Sequence, residues 1–276
     1  MSSSAHPDGP ADTRDLLDLL RRGTLDVQGR ITDASNATLF CGIDADGVEA
    51  QCVYKPVRGE RPLWDFPDGT LAGREVSTFL VSEAAGFGVV PPTVLRDGPF
   101  GPGMVQLWIE TDDERELVDV VEPRAVARGW RTVLKARGSG GDPALLVHAD
   151  DPELRKMAAL DVVVNNADRK GGHVLAGVDG GVYGVDHGIC LHRENKLRTV
   201  LWGWVGEPLP DDVLDGLRRL RAALSPGNAA ALADTLNDHI TRAEVAALRS
   251  RTSTLLETGE LPAPSGGWPP IPWPAF

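Results

Sequence analysis

The residues best suited to chemistry lie in one polar run, Asn165-Asn166-Ala167-Asp168-Arg169-Lys170-Gly171-Gly172-His173. It follows an apolar helical pattern and precedes a strand-like run, so we expect a loop with a carboxylate at its mouth. In such a loop Asp168 can accept a proton from an attacking hydroxyl group or orient that group. Arg169 or Lys170 can stabilise negative charge developing on a transferred phosphoryl group. The alternative is a polar Asx-rich turn, which explains the Asn, Asp and Gly residues equally well.

A second run, Tyr183-Gly184-Val185-Asp186-His187-Gly188, predicts an apolar strand that ends in Asp-x-Gly. A carboxylate at a strand end suits Mg²⁺ held against nucleotide phosphates, because Mg²⁺ takes few protein ligands and several phosphate or water oxygens. We expect Asp186 to be one ligand and His173 or Asn166 the second. Imidazole is a softer ligand than Mg²⁺ prefers, and a lone histidine is equally well interpreted as a loop residue with satisfied hydrogen bonds.

Three further positions are candidates for binding nucleotide phosphates. Lys55 ends an apolar strand pattern, in a chain where only five of the 28 basic residues are lysine. Glu75 lies on the next predicted helix, where an acid can hold such a lysine in an ion pair. The short polar turn TDASNA, with Ser35 and Asn36, can present backbone N–H groups to phosphates. The alternatives are a solvated lysine, a surface pair of Arg74 and Glu75, and an ordinary hairpin turn.

The elements that must position these residues are strands in the first part of the chain and mostly helices in the second. Alternating runs at 25–31, 38–44 and 48–57 predict an antiparallel meander. A helix capped by Thr70 and ended by Gly86 follows, and then two strands around a Gly-Pro turn. We expect helix and loop at 114–138, and helices opening at Asp151, Asp211 and Thr241.

This order of elements predicts an α+β fold, bilobal and protein-kinase-like, with a β-rich N-lobe and a helical C-lobe. The expected segments are a disordered tail at 1–13, an N-lobe at 14–110, a C-lobe at 111–262 and a Pro/Trp-rich tail at 263–276. That last segment is interpreted either as a proline-rich ligand for a protein partner or as a strap folded back onto the C-lobe, burying Trp268 and Trp273.

The blocks VYK, GREV, NNADRKGGHVL and VYGVDHG together resemble the phosphatidylinositol 3-/4-kinase-like family, in an actinobacterial branch related to HipA-like and type II phosphatidylinositol 4-kinase-like kinases. The resemblance covers roughly residues 25–200. It implies that Lys55 contacts the α and β phosphates with Glu75 as its partner, that Asp168 is the catalytic aspartate and that Asp186 binds metal. It also implies a hinge whose backbone meets adenine, at Gln106-Leu107-Trp108. His173 departs from the family pattern, which usually has Asn there.

The predicted function is therefore that of an ATP- and Mg²⁺-dependent phosphotransferase, an atypical kinase with a hydroxyl acceptor. We expect that acceptor to be a protein or a small molecule rather than a lipid. Two alternatives on the same fold are a nucleotide-binding pseudokinase and a nucleotidyl transferase. A third is an interaction protein that uses SGGWPPIPWPAF as its ligand segment.

Composition excludes several other classes. The 276 residues carry 40 acidic and 28 basic side chains, a formal charge of −12. This charge disfavours nucleic-acid binding through phosphate contacts and polybasic attachment to an anionic membrane, and it argues mildly against a lipid substrate. No run approaches the ~18 apolar residues of a membrane span, and the first residues lack a signal-peptide core. Three cysteines without a CxxC pair predict neither a disulfide framework nor a zinc ribbon. We expect a cytoplasmic protein.

Overall fold

The computed structural model describes residues 13–31, 36–137, 140–225 and 232–276. The chain divides into two compact units. One contains Met1–Arg61 and Pro92–Trp108, and the other contains Pro62–Pro91 and Ile109–Phe276.

An antiparallel five-stranded sheet forms the first unit. Its strands are Thr24–Arg30 (β1), Leu39–Ala45 (β2), Val48–Pro56 (β3), Thr93–Gly98 (β4) and Gly101–Leu107 (β5). Their order in the sheet is β1-β2-β3-β5-β4. The β2–β3 turn places Asp46 and Gly47 at positive φ, as a tight two-residue hairpin requires. The predicted meander and the two later strands are all present, because their turn residues and apolar alternation are local signals.

One face of this sheet packs against the helix Thr13–Arg22 (α1) and forms a continuous apolar core. Strand alternation places Cys52 and Tyr54 in that core and Lys55 on the opposite, half-buried face. Cys41 and Cys52 are register partners on neighbouring strands, and both are free and buried.

The helices of the second unit are Leu71–Ala85 (α2), Pro152–Val164 (α3), Asp211–Ala223 (α4), Leu232–Asn237 (α5) and Arg242–Thr258 (α6). Their predicted termini agree with the capping contacts. The Thr70 hydroxyl accepts from Gly73 N, the Asp151 carboxylate accepts from two N–H groups, and Thr241 forms a capping box with Glu244. Such a cap stabilises a helix by about 1 kcal/mol.

Two smaller sheets complete the second unit, and one of them corrects the prediction of helix and loop at 114–138. Val118–Val121 (β6), Trp130–Arg137 (β7) and Pro143–Ala149 (β8) form a sheet in the order β6-β8-β7. β8 is central and pairs with both others, so hydrogen bonds from a later segment determine this structure, and 114–138 alone does not specify it. Val174–Ala176 (β9) and Val182–Gly184 (β10) form the predicted hairpin.

α2 belongs to the second unit, although it lies within the predicted N-lobe at 14–110. It packs against α3, α4 and α5. Arg74 of α2 is buried and donates to the Glu244 carboxylate of α6 at 2.7 Å. Arg74 and Glu75 are 1% and 2% exposed, so a surface pair between them is the wrong interpretation.

The fold class is α+β as predicted, with a β-rich N-terminal region and helices in the C-terminal part. In the described ranges, no helix combines the length and the apolarity that a membrane crossing requires.

A buried histidine makes the stability of the second unit depend on pH. His148 of β8 is fully buried, packs on the Trp204 ring and accepts from Gly203 N at 3.1 Å through Nε2. Burial lowers the pKa of His148 to about 4, with Arg131 lowering it further and Asp150 opposing. The imidazole is therefore neutral in the folded protein.

We expect the free energy of unfolding to fall as pH drops below 6.5. His148 then binds a proton in the unfolded chain, whereas its lowered pKa keeps it neutral in the folded protein. The loss attributable to His148 is about 2 kcal/mol at pH 5. Urea unfolding at pH 7.5 and pH 5 measures it, with His148→Gln as the comparison. An equal pH effect in both proteins would contradict the assignment.

Candidate functional site

The 165–173 loop starts where α3 ends. Asn165 has φ of 54° and ends the helix in the left-handed conformation, which Asn tolerates better than most residues. Its amide donates to the carbonyl oxygens of His192 and Glu194 at 2.9 and 2.6 Å, and its Oδ1 accepts from Lys196 N at 2.9 Å. The helix end is thereby fixed to the segment 192–196.

The buried side chain of Arg169 holds this loop in place through hydrogen bonds. Its Nε and Nη2 donate to the Asp161 carboxylate at 2.9–3.2 Å, and its Nη1 donates to the carbonyl oxygens of His173 and Val185 at 3.1 and 3.2 Å. Nη2 also lies 2.6 Å from His187 Nε2. The side chain is 0% exposed. This placement corrects the expectation that Arg169 stabilises phosphoryl charge, since its donors bind groups inside the protein.

The side chain of Asn166 also bonds to groups inside the protein. Its Nδ2 donates to Asp161 Oδ1 at 2.9 Å, its Oδ1 accepts from Asp168 N at 2.9 Å, and the residue is fully buried. It orients the backbone at Asp168 and does not face a site where metal could bind. The expectation of Asn166 as a metal ligand therefore does not fit its placement.

Asp161 is the central residue that the sequence analysis missed. Its carboxylate is fully buried and accepts from Asn166, from Arg169 and from Thr199 Oγ1, the last at 3.0 Å. Thr199 was missed as well. A signal was present, because Asp161 is the one carboxylate inside the apolar run MAALDVVV, and a charge in such a run needs buried partners.

Asp168 and Lys170 lie together at the loop surface. Lys170 Nζ is 3.6 Å from Asp168 Oδ2, and each side chain is 22% exposed. Burial raises the pKa of Asp168 above its usual range; Lys170 opposes this shift and Asp186 adds to it. A carboxylate with a raised pKa is a better proton acceptor than an ordinary one.

His173 and Asp186 face each other beside Asp168. His173 Nδ1 lies 2.9 Å from the Asp168 carbonyl oxygen, which can only accept, so Nδ1 carries the proton. Burial lowers the pKa of His173 to about 4, so the ring is neutral and Nε2 presents a lone pair. That nitrogen is 3.5 Å from Asp186 Oδ2. Asp186 is at φ 59°, an unfavourable conformation for a non-glycine residue that marks many functional positions.

This pair fits a cation, because two electron-pair donors at this distance repel unless a proton or metal lies between them. The carboxylate suits Mg²⁺ and the imidazole suits it less well. Across the described residues, no three His, Cys, Asp or Glu side chains gather into a metal site. Asp186 and His173 would supply two protein ligands to a magnesium ion bound here.

The other residues predicted to bind the nucleotide are divided between the two units. Lys55 is in the first unit on β3, opposite Met104 of β5, while Glu75 is buried in α2 of the second unit. Their ion pair stays a prediction. Asn36 Oδ1 accepts from Arg61 N at 2.9 Å. Ser35 lies outside the described residues.

The predicted adenine hinge is occupied by sheet contacts. Leu107 N donates to Pro92 O and Trp108 N donates to Gln51 O, both at 2.9 Å. The Gln106 side chain is buried and donates to Thr93 Oγ1 at 2.8 Å. These groups leave no main-chain donor at Leu107 or Trp108 for a base, so an adenine contact there would have to use other atoms.

Lys196 is enclosed by aromatic rings. Its Nζ lies 3.1 Å from Asp65 Oδ2 and within 6 Å of the ring centres of Trp64, Phe66 and Trp268. With 8% exposure, Lys196 is buried within this aromatic cluster.

A cavity of about 630 Å³ lies elsewhere in the second unit. Val162, Trp202, Arg251 and Leu255 are among its lining residues, which include none of the predicted catalytic or metal-binding residues. The 165–173 loop therefore does not line this cavity.

The Pro/Trp segment (262–276) folds back onto the second unit without burying both tryptophans. Trp268 is 39% exposed and Trp273 is 86% exposed, so burial of Trp273 was the wrong expectation. Gly171 N donates to Ala275 O at 2.7 Å, which attaches the segment to the 165–173 loop.

Comparison with other proteins gives one relative with high identity. Protein Rv2133c of Mycobacterium tuberculosis is 51% identical over 267 residues, covering 94% of each chain. No family model matches the chain, so the phosphatidylinositol 3-/4-kinase-like and HipA-like resemblance stays a prediction.

Two solved kinases are similar in structure at a TM-score of 0.48 each. The Golgi casein kinase is 15% identical, with 90% of this chain and 75% of that one covered. The proinflammatory kinase CtkA of Helicobacter pylori is 9% identical, with 88% and 94% covered.

Proposed function

This chain belongs to the family of the mycobacterial Protein Rv2133c, and from the chemistry of its own site we propose that it is an ATP- and Mg²⁺-dependent phosphotransferase. One observation carries the proposal. Asp168, whose pKa is raised by burial, shares its loop with His173, and His173 Nε2 is 3.5 Å from Asp186 Oδ2. Phosphoryl transfer needs both a group that orients the acceptor and a bound cation against the phosphates.

Asp168 is proposed to accept the proton of the attacking hydroxyl group. Its backbone is fixed by Asn166, and the loop beneath it is fixed by the buried Arg169–Asp161 pair. A carboxylate held in this way orients the acceptor with little loss of entropy during the reaction. Lys170, 3.6 Å from Asp168, is the cation available at the surface to stabilise the phosphoryl charge.

Asp186 and His173 are proposed to hold Mg²⁺. When bound, the ion neutralises charge on the β and γ phosphates of ATP. The hydrogen bond from His173 Nδ1 to the Asp168 carbonyl fixes the ring orientation and leaves Nε2 free of a proton. The same residue thus couples the metal ligands to the loop that carries the proton acceptor.

Lys55 and Glu75 are proposed to bind the α and β phosphates as an ion-paired lysine and its partner. Lys55 lies on the half-buried face of β3, and Glu75 is 2% exposed on α2. The acceptor is proposed to be a protein or small-molecule hydroxyl group, since a net charge of −12 repels anionic membrane surfaces.

Labelled ATP tests this function. We expect label from γ-labelled ATP, but not from α-labelled ATP, to reach an acceptor or water, and the transfer to require Mg²⁺. Transfer of the α label would identify a nucleotidyl transferase. Nucleotide binding without transfer of either label would identify a pseudokinase, which the imidazole ligand of His173 favours.

Asp186→Asn tests the cation site separately. We expect the variant to lose the increase in melting temperature that Mg²⁺ adds to that of ATP alone, because the amide removes the negative ligand. Asp179→Asn, an exposed carboxylate on the same hairpin, is the control. An unchanged Mg²⁺ effect in Asp186→Asn would contradict the assignment.

A further inference from the structure

Residues 268–276 contact residues 199–202 and the 165–173 loop. Pro270 O accepts from Thr199 N at 3.0 Å and from Trp202 Nε1 at 2.8 Å, and Ala275 O accepts from Gly171 N at 2.7 Å. Gly171 directly follows Lys170, so this contact lies one residue from the proposed phosphate-facing cation. The segment therefore reaches the loop that carries Asp168.

Three N–H groups of the second unit form this track. They belong to the backbone of Gly171 and Thr199 and to the indole of Trp202, and each donates to a main-chain carbonyl oxygen of the segment. Main-chain recognition of this kind fits any polypeptide of similar conformation, because every residue supplies a carbonyl oxygen. The track therefore recognises a peptide backbone and not a particular side chain.

The Phe276 ring occupies the space above Gly171. A methyl group at position 171 would overlap this ring. Glycine thus creates a slot next to Lys170 that accepts a planar side chain. The ring is 50% exposed, so it covers the loop surface without entering the core.

The two ends of the segment are held differently. Pro272 is buried, and the Trp268 ring lies 5.1 Å from Lys196 Nζ. Trp273 and Phe276 are exposed by 86% and 50%. Residues 268–272 are therefore an anchor, whereas 273–276 are held by the Gly171–Ala275 hydrogen bond and by the contact of the Phe276 ring with Gly171.

The residues WPPIPWPAF contain no hydroxyl group. A segment that contacts the loop at Gly171 yet carries no serine, threonine or tyrosine cannot receive a phosphoryl group there.

We propose that the Gly171 end of this track, next to Lys170, binds a polypeptide acceptor, and that residues 273–276 occupy it as a substrate-like segment without a hydroxyl group. This rests on the proposed phosphotransferase function and names its substrate class. In the transfer, the acceptor oxygen bonds to the γ phosphorus, the bond from that phosphorus to the β–γ bridging oxygen breaks, and ADP leaves. The hydroxyl proton passes to the Asp168 carboxylate.

Introducing a hydroxyl group into the segment tests the proposal. We expect Ala275→Ser to be phosphorylated at position 275 within its own chain, at a rate independent of protein concentration, after incubation with ATP and Mg²⁺. Trp273→Ser places the same group on an 86% exposed position, and its phosphorylation should be slower by about tenfold at the least. Mass spectrometry of the digested protein locates the phosphate, with the natural Ser265 as an internal control.

Truncation after Trp273 gives a second readout. Removing 274–276 should raise hydrolysis of ATP to ADP by water, because the surface at Gly171 is then open. The anchor at 268–272 remains in place.

The outcomes separate this proposal from the function it rests on. Hydrolysis of ATP that is equal in the full and shortened chains, together with no phosphate on Ala275→Ser, would overturn the peptide track alone. No hydrolysis and no transfer by either chain would overturn the phosphotransferase function and the track with it.

Discussion

Asp168→Asn should lower the rate of phosphoryl transfer by about 10²–10⁴-fold, because the amide cannot accept the proton of the attacking hydroxyl group. We expect Asp168 to be the proton acceptor because burial raises its pKa and Lys170 lies 3.6 Å from its carboxylate. Single-turnover transfer from γ-labelled ATP measures the rate. Binding of ATP should change little, because the metal ligands are on other residues.

A matched variant controls for the lost charge. Asp142→Asn removes a negative charge from an exposed loop and should leave the rate unchanged. The raised pKa of Asp168 also means that its carboxylate form is favoured less at low pH than that of an ordinary aspartate. If Asp168→Asn transferred phosphate at the rate of the unmodified protein, the catalytic role of this residue would be wrong.

Arg169→Met should lower the free energy of unfolding by about 3–5 kcal/mol, because it leaves the Asp161 carboxylate buried without its cation. Both side chains are 0% exposed, so water cannot replace the lost partner. The 165–173 loop should lose its position as well, and transfer activity with it. Urea unfolding at neutral pH measures the stability.

The double variant Asp161→Leu/Arg169→Met distinguishes a pairing effect from a packing effect. It removes both charges, so we expect it to be more stable than Arg169→Met alone. Arg218→Met is the control, because its ion pair with Asp215 has both side chains more than half exposed and contributes about 0–1 kcal/mol. A single variant as stable as the double one would show that the buried pair does not support the loop.

Local signals account for the part of the fold that the sequence predicted. Turn residues such as Asp46 and Gly47, helix caps at Thr70, Asp151 and Thr241, and apolar alternation all act within a few residues. The β6-β8-β7 sheet was missed because its hydrogen bonds join segments far apart in sequence. The membership of α2 in the second unit was missed for the same reason, since Arg74 pairs with Glu244 near the other end of the chain.

The site was predicted in residue type more accurately than in role. Asp168, His173 and Asp186 come together as expected. Arg169 and Asn166 look catalytic in sequence, yet both bind Asp161, and only the structure shows that their polar groups are used inside the protein. The backbone of Gln106-Leu107-Trp108 was expected to meet adenine, and the structure shows that the N–H groups of Leu107 and Trp108 bond to Pro92 and Gln51 instead.

Gly171 makes the residue types allowed at positions 171 and 276 depend on each other. Gly171 does not adopt the left-handed backbone region, so the main chain itself does not demand glycine there. The demand comes from the Phe276 ring above it. Among descendants of this chain, a larger residue at 171 should therefore arise together with a change at 276, while loss of the ring alone should free position 171 to vary. Positions 171 and 276 should therefore vary together, although 104 intervening residues separate them in the sequence.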